Sequence, residues 1–267
     1  MGAGMAAALF LLLAGCSNGH TGARAGTSAP GKSGDRASGG RPGSGSTAST
    51  TLVLQPPVTV VEIGDSLGID LGLGLHDALA SDAQVTLVQA AKGDSGLVEP
   101  QFYDWPLHLQ ELLAEYHPQI VVVFLGANDV QGFYEGSTLE EFGSPGWEAA
   151  YARRVGDLMQ EAGGAGAHVL WVGMPIMGSP KFSEDMQLLN GIYQAQANLH
   201  PGTTYFSSWR LFSSPSGQYT ATTTSATGQE LPLRGADGVH IAIGSGAGSD
   251  ILGGSVVAEM RALYGLP

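Results

Sequence analysis

The seven-residue run Gln119-Ile-Val-Val-Val-Phe-Leu125 does most to constrain the fold of this chain. It is apolar from Ile120 onward, rich in β-branched side chains, preceded by Pro118 and closed by Gly126. A strand with no polar face must be covered on both sides, as a central strand of a parallel sheet is. Residues 58–63, 84–89, 168–172 and 204–206 read as further strands. Between them lie segments of helical period. Leu67, Leu71, Leu75 and Leu79 mark one helix, and Asp104 with Pro106 starts a second that runs to His117. Others span about 147–162, 183–199 and 248–264. Strands alternating with helices predict a three-layer α/β/α sandwich around a parallel sheet. Residues 213–234 are polar and turn-rich and are expected to form a long surface loop or flap.

The N-terminal region is different. Residues 1–15 carry no charged side chain, and an apolar run from Met5 leads into Leu13-Ala-Gly-Cys16. The run is too short to span a bilayer and reads as an export signal. Its end resembles a bacterial lipobox, which would make Cys16 the lipidated first residue of the mature protein. Cys16 is the sole cysteine, so a disulfide within the chain is excluded. Residues 17–51 are Gly-, Ser- and Thr-rich with four basic residues and one acidic residue, a composition expected of a flexible tether. The remaining stretch, 52–267, holds seven basic and twenty-three acidic side chains, a net charge of -16. Such a domain is a poor partner for nucleic acid or anionic lipid. The expected setting is the outer face of a bacterial membrane, with membrane contact only through the lipid anchor.

Several strands end in polar residues, and a parallel sheet gathers those ends at one edge, where open α/β folds place their ligands. Gly64-Asp-Ser-Leu67 follows the first strand and puts Ser66 at a helix N-terminus, which favours developing negative charge. Asp237-Gly-Val-His240 supplies a carboxylate and an imidazole three residues apart. A turn at that spacing can hold the carboxylate on one ring nitrogen while the other faces the serine. Ser66 would attack an acyl carbon, His240 would take its proton, and Asp237 would fix the imidazole. The oxyanion needs preorganised donors. The Ser66 N–H, the Gly96 N–H and the Asn128 side-chain amide are candidates, and the loop of Gly96 also offers Gly93.

Gly-Asp-Ser-Leu at 64–67, Asp94-Ser-Gly96, Gly-Ala-Asn-Asp at 126–129 and Asp-Gly-Val-His at 237–240 together resemble the four blocks of the SGNH/GDSL hydrolase family, in the family's order. The resemblance covers about residues 58–264. It places the nucleophile on Ser66, the glycine donor on Gly96, the asparagine donor on Asn128 and the acid–base pair on Asp237 and His240. Gly-Leu-Val at 96–98, Asp-Trp at 104–105 and Trp-Val-Gly-Met-Pro at 171–175 further resemble an exported bacterial subgroup. The resemblance implies a flavodoxin-like sheet, esterase or acyltransferase activity, and neither metal nor other cofactor.

Gly64 to Gly68 also fits G-x-S-x-G, but α/β-hydrolases carry that serine after several strands, not on the first. Asp65 and Asp129 read as groups that fix their turns. Glu62, a carboxylate inside an apolar strand, has no evident use. Trp105 follows the donor loop and is a candidate wall of the site. Arg234 is a candidate for an acidic or sugar-bearing substrate. The expected function is a serine esterase that removes an acyl group, such as acetyl, from a cell-envelope or extracellular glycan, with an acylated small molecule or glycan as the expected partner. The alternatives are acyl transfer to a glycan hydroxyl, or glycan binding without turnover.

Overall fold

In a computed structural model, the described residues are 53–244 and 246–266. The export signal, Cys16 and the tether lie outside them. Five parallel strands form the central sheet: β1 (Val58–Gly64), β2 (Val85–Gln89), β3 (Ile120–Phe124), β6 (His168–Gly173) and β7 (Thr203–Ser207). Their order is β2-β1-β3-β6-β7. This is the flavodoxin-like order, in which the chain starts near the middle, steps to one edge and then winds to the other. Every residue of β3 is buried, as its unbroken apolar run requires.

Five helices cover the sheet. These are α1 (Ser66–Leu79), α2 (Trp105–Tyr116), α3 (Pro145–Gly164), α4 (Pro180–Leu199) and α5 (Gly248–Tyr264). α1 and α5 pack together as one layer, and α2, α3 and α4 pack in series as the other. The α1–α5 crossing is made by backbone. A Cβ on Gly74 would meet the Ser249 carbonyl oxygen at 1.9 Å, and one on Gly253 would meet Gly74 at 2.1 Å. Side chains at either glycine would force the helices apart.

The expected fold and element order match the structure, and the differences are local. α4 starts at Pro180 with Ser179 as its cap, three residues before the expected start. Proline is suited to a first helical turn, where its missing N–H is not needed. Ser183 is therefore free to close onto Met177, accepting from its N–H and donating to its carbonyl, each at 2.9 Å. Two hairpins are additional: β4 (Phe133–Glu135) with β5 (Thr138–Glu140), and β8 (Thr222–Thr224) with β9 (Glu230–Pro232). The second lies inside the expected loop at 213–234. Each strand is three residues long, too short for period-two patterning to register.

Candidate active site

β1 and β3 are neighbours, so their carboxyl ends deliver Gly64-Asp65-Ser66 and Gly126-Ala127-Asn128 side by side. Asp65 locks the two together. It is fully buried and caps α1 by accepting from the Leu67 N–H at 2.8 Å through Oδ1. Its Oδ2 accepts from Gly126 N–H at 2.9 Å and Ala127 N–H at 2.8 Å. Burial pushes its carboxyl above the usual range, and the amide donors oppose that. The result leaves Ser66 as the first residue of α1, partly exposed beside the amide-rich end of the helix.

Asp129 does the same for the second donor loop. It too is fully buried, with Oδ1 accepting from Val98 N–H at 3.1 Å and Oδ2 accepting from Tyr151 Oη at 2.6 Å. Burial raises its carboxyl to about 6. A Cβ on Gly96 would lie 2.2 Å from Asp129 Oδ1, so a glycine is needed there for the loop to close on the carboxylate. Asn128 Nδ2 donates to the Ser95 carbonyl at 2.9 Å, leaving its second N–H for a ligand. The N–H groups of Ser66 and Gly96 have no acceptor among the described residues.

His240 comes from the loop before α5. Its Nε2 lies 3.0 Å from Ser66 Oγ, and its Nδ1 lies 2.7 Å from Asp237 Oδ2. Asp237 Oδ1 accepts from the Val239 and His240 N–H groups at 2.9 and 3.0 Å, which folds the turn around the carboxylate. The hydrogen bond from His240, then the Val239 amide, holds Asp237 down at about 2. The side chains of His240 and Asp237 are 47% and 50% exposed. The structure thus brings Ser66, Asp237 and His240 into one relay, with Gly96 and Asn128 on loops beside the serine.

Two expected substrate contacts are corrected. Trp105 is 1% exposed, and its Nε1 donates to Ser95 Oγ at 3.1 Å, so it braces the donor loop from behind. Arg234 is 4% exposed, and its Nη2 donates to the carbonyls of Gly238 and Val239 inside the Asp237–His240 turn. Its guanidinium sits 5.1 Å from the Phe212 ring centroid, and burial lowers it to about 10. Asp70 was not singled out from the sequence. It lies four residues after Ser66, and its Oδ2 accepts from Ile241 N–H at 2.9 Å, tying the loop of His240 to the helix of Ser66. The spacing Ser66–Asp70, one helical turn, was the only signal available.

Glu62 is fully buried beneath α1, with its carboxyl oxygens against Gly68 and Gly72, and the backbone amide of Ala91 offsets only part of the cost of that burial. Burial, reinforced by Asp65, pushes it well above the usual carboxylate range. Among the described residues no group of three or more His, Cys, Asp or Glu is placed to hold a metal ion. A wide cleft of about 730 Å³ between α3 and α4 touches none of the site residues.

This architecture is the SGNH/GDSL hydrolase fold. The structure is similar to a GDSL-like lipase from Bacteroides thetaiotaomicron (16% identity, TM-score 0.54, covering 77% of this chain and 88% of that one). It is also similar to TesA (22% identity, TM-score 0.52, 77% and 99%). A third is a catalytic mutant of an acetylxylan esterase from Geobacillus stearothermophilus (13% identity, TM-score 0.53, 79% and 96%). No curated protein sequence matches the chain. Residues 59–259 match the family described as "Protein of unknown function (DUF459)", and the chain belongs to that family.

Proposed function

We propose that this protein is a serine ester hydrolase that removes a short acyl group, acetyl in the first instance, from a glycan of the cell envelope or its surroundings. The observation that carries the proposal is the relay Asp237–His240–Ser66 at 2.7 and 3.0 Å. In this mechanism Ser66 Oγ attacks the ester carbonyl while His240 Nε2 takes its proton. The carbonyl oxygen becomes an oxyanion that accepts from the N–H groups of Ser66 and Gly96 and from Asn128. Collapse expels the sugar hydroxyl, protonated by His240, and leaves an acyl-serine. Water, activated by His240, attacks that ester, releases the carboxylic acid and restores Ser66. Asp237 remains ionised throughout, holding Nδ1 and stabilising the imidazolium. The half-exposed relay supports hydrolysis, since water reaches it freely.

The glycan part of the proposal is supported by the net charge of -16 over residues 52–267, which disfavours anionic partners, and by the expected export and lipid anchoring at Cys16. The acetylxylan esterase that shares the fold acts on such an ester. A fluorophosphonate, read by intact mass, tests the reaction class. Wild-type protein is expected to gain one adduct and the Ser66→Ala variant none. A folded wild type that stays unlabelled would overturn the assignment.

A further inference from the structure

Three clefts at the carboxyl edge of β6 and β7 meet at one side chain, Trp209. The first, about 250 Å³, lies between the 176–180 segment, α4 and Tyr219. The second, about 350 Å³, runs along α4 toward Tyr205. The third, about 600 Å³, opens over the 213–217 turn. The first two share Gln187 as well as Trp209, and the first and third share Gly217. Taken together, the three clefts make a trough around the half-buried indole of Trp209, which lines all of them.

Its chemistry is that of a neutral polyol site. Gln187, Gln194 and Gln218 are exposed, so their side-chain amides face solvent. A side-chain amide both donates and accepts, which matches a hydroxyl. An indole face suits the C–H face of a pyranose, and pockets of this kind combine aromatic walls with a few placed polar groups. Glu184 lines the first cleft, no Lys or Arg lines the first or second, and the third holds Arg210. That balance, in a domain of net negative charge, disfavours an anionic ligand.

The trough also abuts the relay. The Gly178 N–H, on its wall, donates to the Gly238 carbonyl at 2.8 Å, and Gly238 follows Asp237 directly. β7 lies three strands from β1 in the sheet, about 14 Å at the usual spacing. None of the three clefts is lined by Ser66, Asp237 or His240, so an oligosaccharide joining Ser66 to Trp209 would have to cross the turn of Asp237 and His240. We propose that the trough centred on Trp209 binds an oligosaccharide whose acylated unit is presented to Ser66. The proposal rests on the glycan-esterase reading and adds where the glycan lies.

Steady-state kinetics on p-nitrophenyl acetate and on two neutral glycans, O-acetylated xylo-oligosaccharides and O-acetylated manno-oligosaccharides, provide the test. The readout is the ratio of kcat/KM on the better glycan to kcat/KM on the small ester. Trp209→Ala is expected to lower this ratio at least tenfold, through KM. Gln187→Ala, at an exposed position, is expected to lower it about threefold with no effect on folding. An unchanged ratio in both variants would overturn the trough, as would a wild type that hydrolyses p-nitrophenyl acetate but neither hydrolyses nor binds either glycan. Calorimetric binding of deacetylated oligosaccharides to Ser66→Ala separates the two proposals. Binding that Trp209→Ala and Gln187→Ala both weaken would uphold the trough even if the wild type hydrolysed no ester. Absence of binding would overturn it even if ester turnover persisted.

Discussion

On the β1–β3 side of the site, Asp65 and Asp129 are wholly buried and direct their oxygens at backbone amides and one tyrosine. On the other side, Asp237 and His240 are half exposed, in a turn between the last strands and α5. The difference separates two ways of fixing a reactive group. A buried carboxylate is costly unless its lone pairs are satisfied, and once they are it makes the donor loops rigid. An exposed carboxylate costs little to keep charged, but it needs outside braces to stay aimed. Here the braces are Arg234 on the Gly238 and Val239 carbonyls, Gly178 on Gly238, and Asp70 on Ile241.

The sharpest way to break the exposed side is Asp237→Asn. It should lower kcat by about 10⁴-fold, through loss of the correct imidazole tautomer. Tm should stay close to wild type, because the side chain is half in water. On the buried side, Gly96→Ala should lose both rate and stability. The new Cβ meets Asp129 at 2.2 Å, so the loop must shift at a cost of about 1–3 kcal/mol. Loss of that donor should reduce kcat on the order of a hundredfold, with Tm lower by several degrees. A Gly96→Ala variant with wild-type Tm and rate would remove the distinction between the two sides.

Asp70→Ala tests a brace without touching the relay. Losing one hydrogen bond of about 1 kcal/mol should reduce kcat fivefold or so and leave KM in place. Asp70→Asn, which can still accept from Ile241, should recover most of that rate. The smallest effect on rate is expected at Glu62→Gln, which should leave kcat unchanged and alter only the pH dependence of Tm. Because burial raises the Glu62 carboxyl in the folded state, the native protein binds a proton that the unfolded chain releases above its ordinary value. Stability from that proton is full at acid pH and declines as pH rises. The Tm advantage of the glutamine variant should therefore grow with pH. Asp237 has the opposite sign: its carboxyl is lowered to about 2, so its modest stabilisation is present near neutrality and lost as pH falls toward that value.

The layered sheet and the places of Ser66, Gly96, Asn128, Asp237 and His240 at its edge were legible because each depends on local pattern. β-branched runs, helical leucine spacing and the residues at strand ends all lie within a few positions of one another. The groups that sequence reading misplaced act across the fold. Trp105 and Arg234 carry polar atoms that looked available, and only tertiary packing shows them sealed behind loops. Asp70 is one of many exposed-looking helix acids until the Ile241 amide arrives beside it from 171 residues away. Glu62 gives no sign in the sequence of what covers it, and the fold seals it wholly beneath α1. The hairpin inside 213–234 was hidden because its strands are three residues each, too short for an alternating pattern to register.

The serine and its base are 174 residues apart, one beginning the first helix and the other just preceding the last. Contacts of such long range form late, since loop closure must precede any gain from them. A partly folded chain that lacks α5 carries Ser66 at the end of β1 but nothing to activate it, and it lacks the helix that seats α1 through Gly74 and Gly253. Activity then arises as one of the last events of folding, so a nascent or unfolded chain is chemically silent toward the esters it meets.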